Sequence, residues 1–390
     1  MSQPVARAAP PCPHFPDCAG CVLIGHAYGE QLRLKQRRVA DAFASFSGLA
    51  AVPIAEVIGS PQVFGYRNQA KLVARRTRRG LLLGVYRPGT HQVVDIRGCP
   101  VHHPVITRVL EGVARVVEQF VISIYDEDTH MGTLRYVVVR VSNWSKQAQV
   151  ILVTRDRLLP QCRELVRALL RVRGVSSVVQ NVNDTPGNVI FGTQYLPLSR
   201  DTALIDRVGI LKLKTHAGAF LQANVAVARR LYEQAVRWAA PTAQEICVDL
   251  YCGVGALSFY LATAAKQVIG IEASAIAVGD AKENIRLNGF HNVRFYCGDV
   301  AERLPEVAAW VTGIDVITLN PPRKGADAAT RGAIVACTPQ RIVYVSCNPE
   351  TLARDLDWFV GHGYEARAVQ PFDLLPQTDH VECVALLARG

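Results

Sequence analysis

The second half of this chain alternates, at nearly even spacing, between short apolar runs and amphipathic stretches. EICVDLY, QVIGIE, DVITLN and RIVYVSC are runs of the first kind; ALSFYLATAA, AIAVGDAKENIRLNG and ETLARDLDWFV are stretches of the second. An apolar run followed by a 3.6-period stretch is strand followed by helix, and steady repetition of that pair leads to a doubly wound, mostly parallel α/β sheet. Ligands of such sheets bind beyond the carboxyl ends of the strands, so the residues that close each apolar run carry the functional signal.

The first half is built differently. After a segment crowded with cysteine comes a helix around Tyr28–Phe46 rich in Arg and Lys, then β-type alternation in YRNQAKLVARRTRRGLLLGVYRPGTHQVVDI, punctuated by an Arg-Arg-Gly tip and Pro88-Gly89. From Pro104 to Arg200 helical and strand patterns mix as in one α+β layer. At 390 residues the chain exceeds what one core serves, and 49% hydrophobic against 19% charged residues excludes a disordered or coiled-coil chain. Three segments are expected: 1–103, a cysteine arm with a basic β segment; 104–205, an α+β module; and 206–390, the doubly wound domain. No apolar run is long enough to span a membrane and the first residues lack a signal-peptide core, so a cytoplasmic protein is expected, working as a monomer.

All of the excess positive charge, +10 overall, lies in the first half. Between Glu56 and Asp95 no acidic residue occurs, whereas Arg67, Lys71, Arg75, Arg76, Arg78, Arg79 and Arg87 do. A solvated basic face has that composition, and so does a surface that meets the phosphates of a nucleic acid.

Eleven cysteines, an odd number over a long chain without a secretory signal, point to reduced thiols rather than a disulfide framework. Cys12, Cys18 and Cys21 crowd into CPHFPDCAGC, and Cys99 follows in RGCPVHH. Thiolates ligate both structural zinc and iron–sulfur clusters; one remote fourth cysteine departs from the paired CxxC of zinc ribbons and favours a cluster. His14, His102 and His103 keep zinc open, and Cys99 as a buried apolar thiol is the plain alternative.

Four strand ends carry chemistry. In VDLYCGVGALS, Gly253 and Gly255 let the backbone turn tightly beside a ligand, and Glu272, closing the next strand, is placed to accept from a ribose diol. Ser258 breaks GxGxxG, so a pyrophosphate is a poor fit and a nucleoside such as S-adenosylmethionine a better one. Asn320-Pro321-Pro322-Arg323 makes a rigid turn that points an amide out of the sheet. Cys347 ends another strand just before a helix start at Asn348-Pro349-Glu350; the positive end of that helix is expected to lower its thiol pKa and make it a nucleophile.

Together these segments resemble the RNA uridine C5-methyltransferases that carry a four-iron cluster. FLQANVAVARRLY, DLYCGVGALSF, GIEAS, NPPRKG, YVSCNPETLARDL and PFDLLPQTDHVECVALL are similar, in order, to that family's methyltransferase motifs, CPHFPDCAGC with RGCP to its cluster ligands, and YRNQAKLV to its RNA-facing strand. The resemblance implies a Rossmann-like, S-adenosylmethionine-dependent domain preceded by an iron–sulfur arm and an RNA-binding α+β domain. It implies Cys347 as nucleophile and Glu382 as general base. Gln222, Tyr251, Gly253, Gly255, Glu272 and Asn320 would hold S-adenosylmethionine, and Cys12, Cys18, Cys21 and Cys99 a 4Fe–4S cluster. Arg67, Lys71, Arg75 and Arg76 would face RNA. A cluster motif starting at Cys12, with no preceding β-barrel, and Asn rather than Asp before the prolines resemble the branch acting on 23S rRNA, with the target uridine flipped into the pocket. Cytosine C5 methylation and a noncatalytic iron–sulfur RNA-binding protein are the competing expectations.

Overall fold

The computed structural model describes residues 12–78 and 80–390; Arg79 lies outside the described residues. The chain forms two compact units, one of residues 12–26, 62–206 and 216–218, the other of residues 27–61, 207–215 and 219–390. This differs from the expected three segments. The first helix, α1 (Tyr28–Ala44), belongs with the C-terminal unit because Gln31, Lys35, Val39, Ala42 and Phe43, at helical spacing, form its buried face.

The first unit is a seven-stranded sheet of β1 (Gln69–Thr77), β2 (Gly80–Tyr86), β3 (Val93–Asp95), β4 (Leu134–Val141), β5 (Ala148–Thr154), β6 (Val175–Val182) and β7 (Gln194–Pro197). Its strand order is β3-β2-β1-β4-β5-β6-β7, and only β5 and β6 run parallel. Helices α2 (Pro104–Gln119) and α3 (Cys162–Leu170) cover one face through Ile106, Val109, Leu110, Val113, Leu165 and Leu169. The expected α+β module and the basic β segment are therefore one sheet, because β1 pairs with β4 from Gln69↔Arg140 to Val73↔Tyr136.

A hairpin, β8 (Ala203–Val208) and β9 (Leu211–His216), precedes α4 (Val225–Ala239). The second unit then alternates as expected: β10 (Ile246–Leu250), α5 (Ala256–Ala262), β11 (Gln267–Glu272), α6 (Ala275–Asn288), β12 (Val293–Cys297), α7 (Val300–Trp310), β13 (Val316–Leu319), α8 (Ala328–Ala336), β14 (Arg341–Ser346), α9 (Pro349–Val360), β15 (Tyr364–Phe372) and β16 (Glu382–Arg389). The order is β12-β11-β10-β13-β14-β16-β15, parallel from β12 through β14, with β16 antiparallel to both its neighbours. β10 and β14 are buried on both faces, as parallel strands between helical layers must be. The order reverses between β10 and β13, the point at which sheets of this kind bind their ligands beyond the carboxyl ends. Among the described residues no helix is long and apolar enough to cross a membrane.

Candidate active site

At the switch point the glycine turn is built by its backbone. Tyr251, Gly253 and Gly255 all have positive φ, at 57°, 55° and 87°. A Cβ on Gly255 would stand 2.5 Å from the Phe295 ring, so that glycine is required by packing, whereas one on Gly253 would meet nothing within 4 Å. The space beside Gly253 is open. The Glu272 carboxylate accepts from Gly253 N at 3.1 Å and Ser274 N at 2.8 Å, which aims it along the turn and leaves lone pairs for a diol. Beneath the turn lies a group the sequence reading missed: buried Asp249 accepts from Ser258 Oγ at 2.5 Å and Thr318 Oγ1 at 2.7 Å, tying α5 and β13 to β10. Burial pushes its carboxyl up to about 6.

Asn320 and Gln222 are both partly buried, Asn320 at the end of β13 and Gln222 in the segment before α4. The Tyr251 hydroxyl is 3.2 Å from Thr330 Oγ1 of α8, so its contribution to the turn is chiefly the backbone conformation.

The register of β14 and β16 brings the two expected catalytic residues together. Ser346 pairs with Cys383 as the last pair of the ladder, Cys347 follows the one and Glu382 precedes the other, and the Glu382 charge reaches the Cys347 thiol. Both side chains are partly buried. Burial pushes the Glu382 carboxyl up to about 7 despite the nearby Arg323 cation. The expected lowering of the Cys347 thiol is not what the structure gives. Asn348 caps α9 through Glu350 N at 3.1 Å, as expected. Yet burial first, then the Glu382 charge, raise the thiol pKa, while Arg323 charge and hydrogen bonding pull it down. Burial is the first obstacle to thiolate formation here, with the opposed charges of Glu382 and Arg323 acting beside it.

Arg323 is thus a third site residue, quoted within NPPR but given no role from sequence. Its carbonyl accepts from Asn348 Nδ2 at 3.2 Å and Thr351 Oγ1 at 3.1 Å, locking the proline turn to the start of α9. Its guanidinium lies 3.0 Å from His380 Nε2; since guanidinium only donates, that nitrogen accepts.

Helix α1 holds the segment leading into Glu382. Lys35 Nζ donates to Asp373 Oδ1 at 2.5 Å and to Leu375 O at 3.1 Å, with both charged side chains buried. Tyr28 OH donates to Asp373 Oδ2 at 2.9 Å, and Gln31 and Gln377 exchange bonds of 2.9 and 3.0 Å. Arg38 grips both Glu350 oxygens and the Asp379 carbonyl. The available signal was Gln31 and Lys35 falling on the apolar stripe of α1, four residues apart.

In the first unit Cys12, Cys18, Cys21 and Cys99 are all free and partly buried. They share one neighbourhood: Cys21 is pushed up to about 12 by burial and then by the charges of Cys99, Cys18 and Cys12. His14 Nε2 and His102 Nδ1 are buried without a partner among the described residues. The expected ligand set is nonetheless not preformed, since among the described residues no three His, Cys, Asp or Glu side chains come together so as to hold a metal ion. Nor do the expected RNA-facing residues form one patch. Arg67 precedes β1 beside the cysteines, Arg75 and Arg76 sit at its far end, about 25 Å away at 3.3 Å per residue. Arg75 is 3.7 Å from Asp126, and the Lys71 ammonium stands 5.1 Å from the centre of the Phe191 ring.

A family model described as tRNA (Uracil-5-)-methyltransferase matches residues 27–390. The chain belongs to this family. An RNA methyltransferase of Geobacter sulfurreducens is 42% identical over 383 residues, 98% of this chain and 77% of its own length. One of Halalkalibacterium halodurans is 40% identical over 382 residues, covering 98% and 83%. The crystal structure of the Pyrococcus abyssi tRNA (uracil-54, C5)-methyltransferase, in complex with S-adenosyl-L-homocysteine, superimposes with a TM-score of 0.76 at 26% identity, over 96% of this chain and 86% of that one. The likeness extends through both units, so the resemblance drawn from the motifs holds at the level of the RNA uracil-5 methyltransferases.

Proposed function

We propose that the protein transfers a methyl group from S-adenosylmethionine to carbon 5 of a uridine in 23S rRNA, with Cys347 as nucleophile and Glu382 as base. The Glu382 charge acting on the Cys347 thiol, at the end of the β14–β16 ladder, supports this reading. Carbon 5 of uracil is a weak nucleophile, and addition of the Cys347 thiolate to carbon 6 moves the ring electrons into an enolate. Bound S-adenosylmethionine supplies an electrophilic methyl group to the carbon so activated. The Glu382 carboxylate then takes the proton left on carbon 5, the carbon 5–carbon 6 double bond re-forms, and the carbon 6–sulfur bond breaks to return the thiolate. A carboxyl near 7 suits that exchange, since it is ionised often enough to accept and basic enough to take a carbon-bound proton. Gln222, Tyr251, Gly253, Gly255, Glu272 and Asn320 would hold the donor, which the open space beside Gly253 supports. The target base, stacked in folded RNA, has to be flipped into the pocket.

Cys12, Cys18, Cys21 and Cys99 would hold a 4Fe–4S cluster. The charges of the other thiols reaching Cys21 and Cys99 support this, and the role is structural because the reaction consumes no electrons. Anaerobic purification followed by an absorption spectrum distinguishes it from zinc.

A second reading, a transfer-RNA uridine as target, is favoured by the likeness to the P. abyssi enzyme. The deciding experiment incubates the purified chain with labelled methyl donor and either unmodified 23S rRNA or unmodified tRNA. Methyluridine in the first supports the proposal, methyluridine only in the second replaces the target, and methylcytidine overturns the mechanism.

A further inference from the structure

The turn between β4 and β5 displays a tryptophan. Trp144 is 48% exposed in the sequence Ser142-Asn143-Trp144-Ser145-Lys146, where nothing in the reaction calls for an aromatic side chain. The turn beneath it is fastened. Asp206, 1% exposed, accepts from Ser142 Oγ at 3.2 Å, Asn143 N at 3.0 Å and Trp144 N at 3.0 Å. Ser142 Oγ in turn accepts from Ser145 N at 3.0 Å, and Lys146, at φ 58°, closes the turn through Ser142 O. A buried carboxylate spent on three donors of one surface turn fixes the backbone that carries the indole, so presenting it costs little ordering entropy at the moment of binding.

The end of the sheet that carries this turn also carries cations. Lys146 is exposed, with Nζ 3.5 Å from His103 Nε2, and exposed Arg108 lies within electrostatic reach of the same imidazole. Arg67 stands at the same end of the sheet, because its carbonyl accepts from His103 N and the next residue, Asn68, accepts from Val141 N, one residue before the turn. An exposed planar ring at the same end of a sheet as exposed Lys and Arg is the combination that binds single-stranded nucleic acid, the charges following phosphates while the ring stacks a base. An apolar protein surface would instead meet a desolvation cost at Lys146 and Arg108.

We infer that Trp144 is a stacking platform for an unpaired base of the substrate RNA, with Lys146, Arg108 and Arg67 holding the adjoining phosphates. The inference rests on the reading of the protein as an RNA methyltransferase and names where it grips its substrate beyond the target uridine. Trp144 belongs to the first unit and has no role in the steps proposed for Cys347 and Glu382, so a change there is read in RNA binding and not in the chemical step.

The test measures equilibrium binding of an rRNA fragment, and of heparin as a base-free polyanion, by the full-length protein and its variants. Trp144→Ala is expected to weaken RNA binding about tenfold, to leave heparin binding unchanged, and to raise KM for RNA without lowering kcat. Trp144→Phe should restore most of the affinity, which a merely structural role would not require. Lys146→Ala should weaken both ligands and reduce the salt dependence of binding by about one ion. Unchanged RNA affinity in Trp144→Ala, or an equal loss for heparin, overturns the inference. Failure of the functional reading shows separately, as absence of methyluridine with the unaltered protein.

Discussion

Replacing Glu382 by Gln should stabilise the C-terminal unit in a pH-dependent way while stopping the reaction part-way. The carboxyl is held near 7 in the folded state against an ordinary value of 4.5, so the folded protein binds more protons than the unfolded chain between those values. Stability therefore falls as pH rises through that window. Once both states are ionised the loss amounts to ~3 kcal/mol. Gln is neutral and nearly the same shape, so the variant escapes the loss: its advantage is under about 1 kcal/mol at pH 5 and grows to ~3 kcal/mol at pH 8.5. For a unit of about two hundred residues this corresponds to roughly 6–12 °C in melting temperature. Thermal melts of the two proteins across pH 5–8.5 read the difference directly. With RNA and methyl donor, the same variant should accumulate a covalent protein–RNA adduct that survives denaturing electrophoresis, because the carbon 5 proton has no acceptor and elimination of Cys347 stalls. A stability difference that is the same at pH 5 and pH 8.5 would refute the assigned ionisation, and normal turnover by the variant would refute Glu382 as the base.

Three further perturbations test other links. Cys347→Ala should abolish methyl transfer and adduct formation while leaving methyl-donor binding measurable by calorimetry; residual turnover would remove the nucleophile. Arg323→Ala removes the cation that lowers both Cys347 and Glu382, so the pH at which Cys347 is alkylated by iodoacetamide should move upward. Lys35→Met leaves Asp373 buried and without its ammonium, which should cost about 3–5 kcal/mol in urea unfolding; a loss below ~1 kcal/mol would show that Tyr28 alone satisfies that carboxylate.

Local patterns were enough to anticipate much of this protein. Alternating apolar and amphipathic segments define β10 to α9, since each segment's burial follows from its own periodicity, and the strand ends at Gly253, Glu272, Asn320 and Cys347 follow directly from where those runs stop. The glycine turn was legible because positive φ demands particular residues. The helix start at Asn348-Pro349 was legible for the same kind of reason, being written in adjacent residues.

Long-range geometry was not. Glu382 carried no local mark distinguishing it from Asp379; the antiparallel pairing of β16 with β14 is what brings its charge to Cys347. The thiol pKa could not be judged from the helix start alone, because burial and the Glu382 charge arrive from elements distant in sequence and outweigh both the helix terminus and the Arg323 cation. Helix α1 looked like part of a basic arm, yet its Lys35 is spent on Asp373, more than three hundred residues away. A sequence specifies what each residue can do, through side-chain chemistry and local backbone preference. Which charges meet in low dielectric, and hence which carboxyl can act as a base, is decided only when the sheet closes and water leaves.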